Sequence, residues 1–400
     1  VKVVMTLAVP DNTGASRMAH AFAAALQQGG HQVVVAHGPV PPVTPDDAAP
    51  SIVPTLHAAG VDTALVAALS RPLGPRAVRE VRALARAHGA DVVIGIQQRD
   101  RAVALNAAAA EGRPGVVWLG NKHVFWGNPV VRAGKRFVYR RALSRHADLV
   151  VCSSEQTRAE AIHDFGVDAA RTALVPNSVD VAGYARLPDV DVAAVRRSLG
   201  VRPGTLLLAN VARIDRQKGH DVLVQSLASL DRSLLDAITI VVVGGVTYGA
   251  NNERMRAYER DLTDRVAEQG LGEVIRFVGY RSDVREILSA ADAYVHPSRW
   301  EGLSLAVLEA MAASLPIVTT EGAGRPVGFV DGTHGYVVPT DDGAALAEAI
   351  ETMIRHDADR RTAMGDACRS LVHATYEVGV LTSRVVGLVE DVVSRAAAKR

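Results

Sequence analysis

Short β-branched runs alternate with amphipathic helical stretches along nearly all of this 400-residue chain, and that alternation constrains the fold most strongly. Candidate strands are Val1–Val9, Gln32–Ala36, Asp91–Ile96, Gly115–Leu119, Asp148–Cys152 and Thr172–Val175. After a break they resume at Thr205–Val211, Ile238–Val243, Val274–Val278, Ala293–His296 and Ile317–Thr319. Most are continuously apolar rather than alternating, as expected of strands buried on both faces of a parallel sheet. Between them lie helical patterns such as Met18, Phe22, Ala25 and Leu26 on one face, stopped by Gly29-Gly30. The expectation is α/β, with two doubly wound, Rossmann-like parallel-sheet domains. The single interruption, Gly183–Pro203, places the boundary near residue 185. Two such domains would face a cleft lined by the carboxyl ends of their strands, where open α/β sheets bind ligands.

Composition removes several classes. Forty-four basic residues against 43 acidic ones exclude the strong basic excess of a nucleic-acid binder. Only Cys152 and Cys368 are present, far apart and without histidines at ligand spacing, so neither a disulfide framework nor a zinc site is expected. No apolar run approaches the ~18 residues of a membrane span. Val1 to Pro10 reads as a strand entering a loop rather than a signal peptide, which makes cytoplasmic the default expectation. The balance is uneven along the chain: residues 1–185 hold 19 Lys and Arg against 14 Asp and Glu, and residues 186–400 hold 25 against 29.

The strongest local signal is His296-Pro-Ser-Arg-Trp-Glu-Gly-Leu-Ser-Leu-Ala-Val-Leu-Glu-Ala-Met311. A strand ends at His296, and a helix is expected to start near Gly302, Leu303, Ser304 and Leu305. The unpartnered amides of a helix start suit a phosphate. Glu309 then lies about 7–8 Å along the helix axis, placed to accept two hydroxyl hydrogen bonds from a ribose. Glu301, before the helix, would sit beyond the phosphate, near a second sugar. The plain alternative is a solvated loop Glu301 and a surface Glu309. Against it, the apolar run around Glu309 makes an unpaired charge costly. A second signal is Asn210-Val-Ala-Arg213-Ile-Asp-Arg-Gln-Lys218-Gly219, where a planar guanidinium and a point charge suit a diphosphate leaving group.

With these residues the second half resembles the retaining glycosyltransferases of family four, which have the GT-B fold. Arg213 and Lys218 look like the family's diphosphate clamp, and Glu301 and Glu309 like its paired glutamates. Arg276-Phe-Val278-Gly-Tyr-Arg281 is similar to its nucleobase-binding turn, and Asp331-Gly-Thr-His-Gly335 to the loop that follows. Val175-Pro-Asn-Ser-Val-Asp180 resembles its hinge, with Ser178 where glycine is usual. The resemblance implies a nucleotide-diphosphate sugar, a UDP-sugar foremost, bound by a donor domain at 186–382. Residues 1–185 and a returning helix at about 383–400 would bind the acceptor. It implies transfer with retention and front-face attack, with no metal or other cofactor. Gly14 and Ala15, in the loop before the first helix, match the place where backbone approaches the distal phosphate.

The family commonly places a histidine after the fourth N-terminal strand. Here that strand runs into Leu119-Gly-Asn-Lys-His123, which makes His123 the candidate. The glutamate that often follows the proline of its glycine-rich loop is replaced in Arg325-Pro-Val327. Asp189-Val-Asp191 falls in the linker and is not expected to hold a metal. Gly322-Ala-Gly324-Arg-Pro-Val-Gly328 is one residue too long for a dinucleotide fingerprint. A sugar-nucleotide epimerase or phosphorylase, or a non-catalytic sugar-nucleotide-binding partner protein, remains as an alternative. The acceptor, whether small molecule, glycan or lipid-linked, is not legible.

One basic helix stands apart. Arg132, Lys135, Arg136, Arg140, Arg141 and Arg145 crowd residues 130–146, with Arg132, Arg136 and Arg140 in one stripe. A solvated face is the first expectation, and an anionic acceptor or peripheral contact with anionic lipid the alternatives. The reading against lipid is that Phe137, Val138 and Leu143 are needed for the core.

Overall fold

The computed structural model describes residues 1–40, 51–70, 74–120, 128–246 and 252–399. Within them the chain divides into two compact units, one running from Val1 to Asn177 and taking back Val378 onward, the other Ser178–Glu377. The division thus falls before residue 185. Ser178 to Gly183 goes with the second unit because Val179 pairs with Glu377, its backbone N–H donating to the Tyr376 carbonyl at 2.9 Å.

The first unit holds β1 (Lys2–Leu7), β2 (Gln32–His37), β3 (Asp62–Leu65), β4 (Val92–Gly95), β5 (Gly115–Leu119), β6 (Leu149–Cys152) and β7 (Thr172–Leu174). They form one parallel sheet in the order β3-β2-β1-β4-β5-β6-β7. The second holds β8 (Leu206–Val211), β9 (Ile238–Val243), β10 (Ile275–Phe277), β11 (Ala293–His296), β12 (Ile317–Thr320) and β13 (Gly335–Val338). Their order is β10-β9-β8-β11-β12-β13, again all parallel. Both sheets are doubly wound, as the alternation predicts.

Two strands, β3 and β13, lie outside the expected set. β3 is an edge strand in which none of the four residues is buried, so Asp62-Thr-Ala-Leu65 carries no apolar run to betray it. β13 follows directly on Asp331-Gly-Thr-His-Gly335, whose turn residues mask it. Gly335 itself begins the strand at φ 139°, where a β-carbon would lie 1.8 Å from the Ile317 carbonyl oxygen.

Burial on both faces explains the continuous runs. In β9, Ile240 and Val242 enter a core with Leu223, Leu227, Leu262 and Ile350, while Val241 and Val243 enter another with Tyr294, Leu308, Met311 and Cys368. Met18, Phe22 and Leu26 are buried along Gly14–Gln28, whereas Ala25 is only partly so. Both cysteines are free and buried. Asp191 accepts from the Ala194 N–H at 2.9 Å and so caps the helix Val192–Ser198, a structural task for the Asp189-Val-Asp191 segment.

Candidate active site

In the second unit the strand order reverses between β8 and β11, and ligands of such sheets bind outside the carboxyl ends at that point. The loop after β8 carries Arg213 and Lys218, and the loop after β11 carries Ser298 and Glu301. Gly219 sets how closely the two approach. Its φ is 68°, and a β-carbon there would stand 2.0 Å from the Pro297 carbonyl oxygen. Only glycine fits both demands. Gln217 completes the seam: its side-chain amide donates to the Trp300 carbonyl at 2.7 Å, and its own carbonyl accepts from the Arg299 N–H at 2.8 Å.

At that seam Glu301 is buried, and three donors converge on its Oε1. Lys218 Nζ lies at 2.6 Å, His296 Nε2 at 2.7 Å and Ser298 Oγ at 2.8 Å. Among the described residues no donor reaches Oε2. Burial by itself would raise the Glu301 carboxyl. The Lys218 charge and the His296 ring override it and hold the group well below the usual carboxylate range. His296 shifts downward as well, chiefly through burial, against the pull of Glu301. Its ring is therefore neutral near pH 7 and donates Nε2–H to Glu301, while Nδ1 faces the Tyr294 hydroxyl at 3.4 Å. The group is a charged Lys218–Glu301 pair steadied by two neutral donors.

The helix after this loop is Leu305–Ala312, with Ser304 as its N-cap residue, at the place the motif predicts. The Ser304 side chain makes no capping hydrogen bond to the first turn. Gly302 and Leu303 are packed under the 322–324 turn, where a β-carbon on Gly324 would meet the Gly302 carbonyl oxygen at 2.5 Å. The glycine-rich stretch read as a failed dinucleotide fingerprint thus serves to admit the backbone of the Glu301 loop. Glu309 is 2% exposed, inside the apolar helix rather than on the surface. Both glutamates act electrostatically on the buried Tyr294 hydroxyl, which binds them to one neighbourhood.

Other expected residues are placed less tightly. Arg213 belongs to the same loop, with Gln217 Oε1 at 3.4 Å and Asp215 at 3.8 Å, and does not join the Glu301 cluster. Val278 is half-buried at the end of β10, its N–H donating to the Val242 carbonyl. Arg281, beyond it, is clamped by Asp283 at 2.8 and 2.6 Å. Asp331 accepts from the Val337 N–H, closing the turn into β13. Gly14 and Ala15 belong to the first unit and form the first turn of the helix Gly14–Gln28, not a loop before it. The reason is Asp11, whose Oδ1 accepts from the Thr13 and Ser16 hydroxyls at 2.7 and 3.0 Å and closes the turn earlier. His123 lies outside the described residues. His296 and Ser298 are what the sequence reading missed, although both stand in its strongest motif. A histidine closing a strand ahead of a Pro-Ser turn was the available signal. Among the described residues no group of three or more His, Cys, Asp or Glu is arranged to hold a metal.

A family model of glycosyl transferases group 1 matches residues 191–370, and one of glycosyltransferase family 4 matches residues 12–182. Between them they take in most of both units, and the chain belongs to glycosyltransferase family four. It is 29% identical over 234 residues to a D-inositol 3-phosphate glycosyltransferase of Corynebacterium jeikeium, covering 58% of this chain and 54% of that protein. It is 28% identical over 257 residues to the lipopolysaccharide core biosynthesis mannosyltransferase LpsB of Rhizobium meliloti, covering 60% and 69%. The chain spans about half the length of the inositol-phosphate relatives it matches. Anabaena Alr3699/HepE, solved in complex with UDP-glucose, superposes with a TM-score of 0.82 over 98% of this chain and 99% of that one, at 20% identity. That likeness concerns the fold, which is of the GT-B class.

Proposed function

We propose that the chain transfers a hexosyl or amino-hexosyl group from a nucleotide-diphosphate sugar, a UDP-sugar, to an acceptor hydroxyl, with retention and without a metal. The observation that carries this reading is the ionised Glu301 held on one oxygen by Lys218, His296 and Ser298, directly before a helix start without a side-chain cap. A diphosphate on that helix start meets aligned amides, and the Lys218 ammonium has further protons to direct at it. Glu301 Oε2 would accept from a sugar hydroxyl, and Glu309 from the ribose. In the reaction the bond from the anomeric carbon to the diphosphate oxygen breaks and a bond to the acceptor oxygen forms on the same face. The acceptor proton passes to the departing phosphate oxygen, so no protein base is needed. Arg213 and Lys218 would counter the charge gathering on the leaving group, the largest contribution side chains make to such a step. The name of the Anabaena complex, with UDP-glucose, supports the choice of donor.

The test is nucleotide release from a panel of UDP-, GDP- and ADP-sugars with an acceptor mixture, with and without EDTA, followed by the anomeric configuration of the product. Acceptor-dependent release of UDP, unchanged by EDTA, with retained configuration is the expected result. Product from donor alone would replace transfer with epimerisation. Donor binding without any nucleotide release would mark a non-catalytic binding protein.

A further inference from the structure

Two groups of basic residues stand in opposite settings. In the helix Pro129–His146, Lys135 and the five arginines are all exposed, with Arg136 reaching Asp164 at 3.0 Å. Phe137 and Val138, expected in the core, are 66% and 43% exposed and Val130 81%, whereas Leu143 is buried because Tyr139 and Ala142 complete the packed face. Arg299, in the second unit, is the reverse case: its side chain is 18% exposed and its fork is filled by the protein itself.

Arg299 lies in the loop after β11, two residues ahead of Glu301, and reaches the segment that follows β8. Nη1 donates to the Arg216 carbonyl at 2.6 Å and to Asp221 Oδ1 at 2.8 Å. Nη2 donates to Asp221 Oδ2 at 2.9 Å, and Nε to Asp341 at 2.5 Å. Asp221 belongs to the first turn of the helix His220–Ala228 and also accepts from the Tyr258 hydroxyl at 2.7 Å. The Arg216 guanidinium in turn lies 4.9 Å from the centre of the Tyr258 ring. Lys218 stands between Arg216 and Asp221 in the chain, so a single guanidinium holds the segment on both sides of it. A lysine could not do the same, because a point charge lacks the fork that serves both oxygens of a carboxylate in parallel. Arg213 differs, being held more loosely at 3.4 and 3.8 Å.

We propose that Arg299 is a positioning residue for Lys218, fixing the segment from Arg216 to Asp221 so that the ammonium stays on Glu301. The consequence for transfer rests on the role given above to Lys218; the placement itself does not. Arg299 does not serve the diphosphate directly, since two carboxylates and a carbonyl already engage its donors. Without Arg299, the half-buried Asp221 loses its cation and the Arg216 carbonyl a donor, and the segment gains freedom to carry Lys218 away.

The reactivity of Lys218 reports its placement without reference to turnover. The full chain is treated with limiting trinitrobenzenesulfonate, and labelling of Lys218 is compared by peptide mass with that of Lys2, exposed in the first unit. Lys218, 13% exposed and paired with Glu301, should be protected in the wild type. Arg299→Gln should raise its labelling relative to Lys2 by about tenfold, and Arg299→Lys by nearly as much. With a donor taken from the nucleotide-sugar panel, Arg299→Gln should lower kcat by about tenfold or more while the donor KM stays within about twofold. Combined with Lys218→Met it should add no further loss, because both changes act through one ammonium. Circular dichroism checks the fold, and Arg299→Lys carries the comparison where Arg299→Gln does not fold. Unchanged Lys218 labelling overturns the proposal, and weaker binding of free UDP by calorimetry alongside it would make Arg299 a direct ligand. A kcat loss that multiplies with that of Lys218→Met overturns it as well. A wild type that releases nucleotide from no donor defeats the proposed function instead, and the labelling still decides what Arg299 does for Lys218.

Discussion

Lys218 and Glu301 form one buried ion pair that, on the proposed function, serves both the fold and a charge that responds to a ligand. Glu301 keeps His296 and Ser298 when Lys218 is removed, yet it loses the only full positive charge among its three donors. Lys218→Met should therefore lower the unfolding midpoint, since a buried carboxylate without its cation is costly. It should also reduce kcat for nucleotide release by about a hundredfold or more, with little change in the affinity for the free nucleoside. Steady-state kinetics alongside thermal denaturation separates the two: a lower midpoint with unaltered kcat would leave Lys218 a structural role only. Glu309 was legible because an apolar helix made its carboxylate conspicuous. His296 was not, because nothing in a linear string shows that a strand-end ring will meet a glutamate five residues on across a Pro-Ser turn.

Among the elements, the loop after β8 is set by one residue. Gly219 combines a left-handed φ with contact closer than any β-carbon allows, and the obstacle is backbone, which cannot rotate away. Gly219→Ala adds about 1 kcal/mol for the conformation alone, and the clash with Pro297 adds to it. Urea unfolding should register a loss above that figure, with kcat falling in parallel as Lys218 is carried from Glu301. A loss below about 0.5 kcal/mol, within the range of ordinary surface changes, would show that the loop relaxes freely. Strand positions were largely legible, since burial on both faces leaves a continuous apolar run. β3 was hidden by its exposed edge and β13 by the turn residues before it. In the helix Pro129–His146 the sequence shows charge and periodicity, but which turns find a neighbour depends on what packs beside them.

At the scale of the whole molecule, acid should begin to destabilise the second unit before the carboxylates titrate. His220 is fully buried and is held down to about 3, first by burial and then by the Lys218 charge, with Arg299 adding and Asp221 opposing. The unfolded chain binds that proton near pH 6.5 and the folded one does not. The His220 contribution to stability is then constant above about 6.5 and falls as pH drops through the window from 6.5 to about 3, by roughly 1.4 kcal/mol per pH unit. His296, shifted the same way, adds to the slope, and Glu301 adds to it below the usual carboxylate range. Denaturant midpoints between pH 8 and 4.5 check this. His220→Gln, which keeps a donor for Asn210, should flatten the fall, and an unchanged slope would count against His220 as its source.

The sequence by itself determined the two doubly wound sheets, the helix that begins after Ser304 and the glutamate spacing around it. These follow from local burial and helical geometry, which repeat over a few residues. Only the tertiary structure decided which oxygen of Glu301 is occupied, that His296 and Ser298 hold it, and that Val130 and Phe137 stand in water. Each of those depends on groups brought together from different elements, and neither a period nor a propensity encodes the distance between them.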